Sequence, residues 1–186
     1  DTDVRTRNLH DELSCQQAWD RATSNMSQAW DEIRGLIDKV RGRRDASADA
    51  RLSCLIAASA ISRTRTDVAA ARAFTEEALQ VVDSARVGEV SQHYRFALLS
   101  VHSGALANEG ALGRATAMMQ QLRNDMRDRG MENGARWASV SELLAWTHLM
   151  AGDVKAADAW ARSDVPRMTA IKGAQGLATR TYTILA

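Results

Sequence analysis

The chain reads as apolar stripes at helical spacing, separated by short polar turns. A tetrad of small residue, any residue, Ala and bulky apolar residue occurs four times. These are SQAW at 27–30, ARAF at 71–74, ATAM at 115–118 and ADAW at 157–160. The first residues, 27, 71, 115 and 157, stand 44, 44 and 42 apart. A second pattern runs between the tetrads: Leu52, Phe96 and Val140 are 44 apart, as are Leu55, Leu99 and Leu143, and Ile61, Ala105 and Leu149. Positions 52, 55, 59 and 62 fall within about 80° on a wheel of about 100° per residue, which makes them one helix face. No segment alternates with the period of two that a half-buried strand needs. Three columns at one interval predict helical hairpins, with the leucine columns on each first helix and the tetrads on each second. Small residues at tetrad positions one and three would let a neighbouring helix approach. Trp30, Phe74, Met118 and Trp160 would then fill the remaining space as core.

A hairpin of this length cannot bury its apolar face alone and has to stack on its neighbours. The expected fold is therefore an all-α, α–α superhelical solenoid, forming a single domain over residues 1–186. Its units run at about 1–44, 45–88, 89–132 and 133–174, with a truncated fifth at 175–186. In the first unit Leu9, Leu13, Ala18 and Trp19 suit a first helix but do not register with the columns. The shorter third interval has a local cause, a turn reduced to Met150-Ala151-Gly152-Asp153. Gly152 is placed to close one helix in the left-handed conformation and Asp153 to cap the next. Pro166 predicts a break before a last helix that ends at TYTILA, in mid-unit. The polar start, DTDVRTRN, and that end read as those of a piece cut from a longer protein.

Composition narrows the class. Of 186 residues 45% are hydrophobic and 25% charged, with a net charge of +1 and one proline. A near-neutral balance carries no electrostatic footprint for nucleic acid, and VRGRRD (40–45) is too short and too loop-like to read DNA. No apolar run approaches the roughly 18 residues of a membrane span, so no membrane partner is expected. Cys15 and Cys54 sit in apolar helical patterns and are expected as buried, reduced thiols, in keeping with a cytoplasmic protein.

Candidate chemistry is sparse. The four histidines, His10, His93, His102 and His148, show no i, i+4 pair and no H-E-x-x-H, so no metal site is expected. Nothing resembles a G-x-S-x-G elbow, and no catalytic residues are assigned. Charge runs such as RNDMRDRG (123–130) predict solvated faces. A binding surface has more support. Ser53, Ala57, Ala60, Ala97, Ser100, Val101, Gly104, Ser141, Ala145 and His148 mark either tight helix packing or the open floor of a groove. One column changes from Ala58 to His102 to Trp146, and another reads Arg51, Arg95, Ser139. With Tyr94 and Trp137 nearby, the candidate effector-binding residues are Arg51, Tyr94, Arg95, His102, Trp137, Trp146 and His148. Each tryptophan among them has core packing as its plainer reading.

The stretch LLAWTHLMAGDVKAADAWA (143–161), continued by TRTYTILA (179–186), resembles tetratricopeptide-type repeats. More narrowly, it is similar to the superhelical sensor region of MalT-like, large ATP-binding LuxR-family bacterial transcription regulators. That resemblance implies a regulatory sensor and interaction module whose partners are a small-molecule effector or a protein or peptide, together with neighbouring domains of the same chain. It also implies an ATP-hydrolysing domain upstream and a helix-turn-helix domain downstream. ATP would belong to the former, because this chain has no G-x-x-x-x-G-K-[ST] loop. No cofactor and no direct nucleic-acid contact are expected of this segment. The alternative is a generic tetratricopeptide-like scaffold holding a partner's peptide or helix.

Overall fold

Helix formation here follows from apolar stripes, several of them bounded by residues that satisfy free backbone groups at the helix start. The computed structural model describes residues 2–171 except Thr23. Eight helices carry them, with no strand among the described residues: α1 Thr2–Arg21, α2 Met26–Arg41, α3 Ala48–Thr64, α4 Val68–Ser84, α5 Gln92–Asn108, α6 Leu112–Asp128, α7 Ala135–Met150 and α8 Val154–Ala170. The side chains of Asn25, Ser47, Asp67 and Asp153 accept hydrogen bonds from the backbone N–H of Gln28, Ala50, Ala70 and Ala156. Each such cap contributes about 1 kcal/mol. The α7–α8 turn is built as expected, with Gly152 at φ 77° and Asp153 capping α8. The expected unit at 175–186, TYTILA included, lies outside the described residues.

In the turn from α3 to α4 the left-handed position falls on Thr66, at φ 61°, where the α5–α6 turn has Gly110. A β-branched residue is strained there. Thr66→Gly is expected to raise stability by about 1 kcal/mol, measured as a higher urea midpoint at unchanged slope. A lower midpoint would show that the Thr66 hydroxyl, bonded to the Arg65 carbonyl at 2.6 Å, outweighs the strain.

The chain divides into two compact units, Asp1–Ala105 and Leu106–Ala186. In the first, α3 packs on α1, α2 and α4. It is accordingly buried nearly all round, and Ala57, Ala58, Ser59 and Ala60 keep it slim enough to be surrounded. Its core joins Ala18, Ile33, Ile37 and Val40 to Ala58 and Ile61 on one side. On the other it joins Leu52, Leu55 and Ala78 to Val90 and Leu98. A fully buried Ile or Leu is worth about 1.5–3 kcal/mol, so these contacts outweigh the caps. The Ser59 hydroxyl donates to the Ala71 carbonyl at 3.0 Å and pairs with Thr75 Oγ1 at 2.8 Å, tying α3 to α4 with both of these hydroxyls paired. In the second unit α7 packs on α6 and α8, and Ala138, Val165, Met168 and Ile171 form a core cluster.

The tetrads need two corrections. The fourth residue of every second helix, Ala29, Ala71, Ala115 or Ala157, is at most 1% exposed. These are the close-approach positions, so SQAW is two residues out of register with the other tetrads. Ala73, Ala117 and Ala159 face solvent, and Trp30, Phe74, Met118 and Trp160 are half-buried rather than core. Trp30 packs edge-on to Phe74 with ring centroids 6.1 Å apart, and the Arg65 guanidinium lies 4.8 Å from its ring. Pro166 breaks nothing: it lies inside α8. It and Arg162, whose carbonyl loses its N–H partner, are on the exposed side, while buried Val165 and Met168 hold the last turn.

The cysteines are a further correction. Cys15 of α1 and Cys54 of α3 form a disulfide with Cα atoms 4.9 Å apart, rather than standing as two reduced thiols. Both are core positions, and the packing of α1 on α3 sets them face to face.

Candidate functional site

The residues at the junction of α2, α3 and α4 form a cleft lined by Ile37, Val40, Arg41, Arg51, Cys54, Leu55, Glu77 and Val81. Its floor is aliphatic because Ile37 and Val40 lie one turn apart on α2 and Cys54 and Leu55 belong to the face of α3 turned towards them. Charge sits at its edge. Arg41 grips the Glu77 carboxylate with two N–H groups, Nε to Oε1 at 2.9 Å and Nη2 to Oε2. That hydrogen-bonded carboxylate pushes the Arg41 pKa above its ordinary value. Arg51 is held differently. Its Nη2 donates to the Arg43 carbonyl at 3.0 Å, and its Nε is buried without a hydrogen-bond partner among the described residues.

Arg51 is the only one of the seven residues singled out from the sequence that lines this cleft. Tyr94 lies elsewhere in the first unit. Its hydroxyl donates to Glu12 Oε2 at 3.2 Å while its ring packs beside Leu52 and Val90. Burial raises the Tyr94 pKa, and burial likewise lifts the Glu12 carboxyl above its usual range, partly opposed by the Tyr94 hydrogen bond. Arg95 and His102 are half-buried on α5. In the second unit Trp137 is fully buried, Trp146 half-buried, and His148 Nδ1 lies 3.7 Å from Asp153 Oδ2 at the α7–α8 turn. Eleven residues separate Trp137 from His148, about 16 Å along a helix. Of the small residues read as either packing or groove floor, Ser53, Ala57, Ala60, Ala97, Gly104, Ser141 and Ala145 are buried, which is packing.

Two charged clusters escaped the sequence reading. Asp11, fully buried on α1, accepts from Lys39 Nζ at 2.7 Å and pairs with Arg43, whose Nη2 also donates to Asn8 Oδ1 at 2.8 Å. VRGRRD is thus a structural loop whose Arg43 is already spent on a carboxylate. In the second unit Arg123 departs from the solvated face expected of RNDMRDRG. It is buried, and its Nη2 donates to both Asp164 oxygens at 2.9 and 2.7 Å. Its guanidinium carbon sits 4.3 Å from the ring centroids of both Trp137 and Trp160. Burial lowers the Arg123 pKa and Asp164 pulls it back up. The sequence carries no local signal for either cluster, since the partners stand 28 to 41 residues apart.

Among the described residues no group of three His, Cys, Asp or Glu side chains could hold a metal ion, and no helix is long and apolar enough to cross a membrane. Among the described residues these features define an all-α protein of eight helices with a small, cation-edged cleft in its first unit. Compared with known proteins, the chain matches no family model, no curated protein and no solved structure.

Proposed function

We propose that this chain is a non-enzymatic sensor and interaction module of a bacterial, MalT-like LuxR-family transcription regulator, built as a solenoid of tetratricopeptide-like hairpins with a 42–44-residue period. The observation that carries the reading is the cleft at Arg51, an apolar hollow edged by a guanidinium with a donor left over. That is what a small polar-headed effector needs. Such an effector acts by binding one arrangement of the helices better than another, and neighbouring domains of the same chain would read the shift. ATP would bind in one of those domains. The reading places the chain in the cytoplasm, where thiols stay reduced, and the Cys15–Cys54 bond is the observation that weighs against it.

The second reading, a scaffold for a partner's helix or peptide, draws on Leu9 and Leu13, which stand one turn apart on α1 and are 51% and 62% exposed. A thermal-shift screen of the chain against metabolites and against a peptide library separates the two. A metabolite that raises the melting temperature dose-dependently is the expected result. Tight peptide binding with no metabolite response would replace the sensor by the scaffold.

A further inference from the structure

We infer that the cleft between α2, α3 and α4 binds a small aliphatic monocarboxylate, with Arg51 as its anchor. This rests on the effector-sensing reading above and names the ligand class. Charge comes first. Three ionisable side chains edge the cleft, Arg41, Arg51 and Glu77. The Arg41–Glu77 pair neutralises itself through its two hydrogen bonds. Arg51 has no carboxylate partner among the described residues; its one hydrogen bond goes to a neutral carbonyl. One positive charge is therefore left over, and one negative charge completes the site.

Hydrogen bonding points the same way. Arg51 Nε–H is buried with nothing to donate to, and a buried donor in that state calls for an acceptor. A guanidinium edge matches the two oxygens of a carboxylate, which can take Nε–H and a neighbouring N–H together. An amide or alcohol presents a single neutral acceptor and leaves the charge uncompensated.

The remaining lining decides the rest of the ligand. Ile37, Val40, Leu55 and Val81 offer no hydrogen bond, and the Cys54 sulfur is committed to its disulfide, so beyond the charged edge the many hydroxyls of a sugar or nucleoside find no partners here. The cavity volume is about 40 Å³, far below the roughly 300–1,000 Å³ of pockets that enclose larger ligands. A short or branched chain of a few carbons fits it. A doubly charged phosphate would overcompensate the single free cation and leave the aliphatic floor empty.

The test titrates the chain with 3-methylbutanoate, its neutral isostere 3-methylbutanamide, and inorganic phosphate, following backbone amide shifts by NMR. The acid is expected to bind saturably and to move the amides of Arg51, Leu55 and Val81. The amide is expected to bind at least about tenfold more weakly, the scale of a lost charge-assisted hydrogen bond. Arg51→Gln should cost the acid a similar factor. Arg51→Lys, which keeps the charge but not the planar edge, should fall between. Val81→Trp, which fills the cleft, should abolish binding while leaving the melting temperature near that of the parent.

Equal binding of acid and amide would overturn the role of Arg51. No saturable binding of the acid, or binding that survives Val81→Trp, would overturn the site. If a metabolite from the thermal-shift screen then binds Val81→Trp as well as it binds the parent, the sensor reading stands and only this site falls. If no metabolite binds either form, both fall. An acidic peptide that binds in the cleft where the free acid does not would hand it to a protein partner.

Discussion

Asp164→Ala is expected to destabilise the chain by about 3–5 kcal/mol, the range for removing one partner of a buried ion pair. The pair is Arg123 on α6 and Asp164 on α8, with side chains 4% and 7% exposed. Removing the carboxylate leaves the guanidinium between the Trp137 and Trp160 rings with its charge uncompensated. The two stacking contacts supply only about 1–2 kcal/mol each, less than the desolvation they would have to offset. Arg127 and Arg167 sharpen the effect, because both lie near enough to push the Arg123 pKa down further. The measurement is urea unfolding followed by tryptophan emission, since two of the five tryptophans flank the lesion. A loss below about 1 kcal/mol, typical of an exposed pair, would mean that Arg123 can swing out to water. Replacing both partners by apolar residues of similar volume, as in Arg123→Met with Asp164→Leu, should recover most of the loss, because no charge then remains buried.

The second large effect belongs to the disulfide. The Cys15–Cys54 bond closes a loop across 39 positions of sequence, for which the chain-entropy relation gives about 4 kcal/mol of stabilisation. The double variant Cys15→Ala, Cys54→Ala is expected to lose about 3–4 kcal/mol in oxidising buffer, read as a lower urea midpoint. Under strong reductant, parent and variant should converge, since the parent then loses the same constraint on its unfolded state. The intact mass of the non-reduced chain should lie two hydrogens below that of the reduced chain. A parent that reacts with two equivalents of thiol reagent on unfolding without reductant would show the cysteines unbonded. The stability difference should then shrink to that of truncating two small buried side chains.

The two effects act in different units, Arg123–Asp164 in the second and Cys15–Cys54 in the first. They share no partner, so their losses should add within a few tenths of a kcal/mol if unfolding remains all-or-none. A biphasic urea curve in either variant would instead show that the two units unfold separately.

What could be read from the linear chain was whatever depends on neighbours within a turn or two. The α7–α8 turn is an instance. Gly152 supplies a left-handed residue and Asp153 accepts from Ala156 N–H three positions on, so both roles are settled inside five residues. The apolar stripe of α3 is another: Leu52 and Leu55 stand one helical turn apart, and both are buried. Local reading fails where two small residues compete for one role. Ala29 and Ser27 both suit a close approach, and nothing within SQAW says which of them faces α3. Pro166 failed for the opposite reason: a strong local breaker signal was overridden by the packing of Val165 and Met168.

The site was legible in one residue of three. Arg51 stood out as a cation flanking an apolar stripe. Arg41 and Glu77, which leave it as the unpaired charge at the cleft, lie 36 positions apart on different helices and carry no mutual signal. By itself, then, the sequence determined the helical character of the described residues and the capped α7–α8 turn, because helical periodicity and capping are interactions between near neighbours. Only the tertiary structure decided which arginines are neutralised, that Cys15 meets Cys54, and that Arg51 Nε–H is left without an acceptor among the described residues. Those outcomes depend on which helix faces which, a choice made by the packing of buried side chains contributed from dozens of residues away.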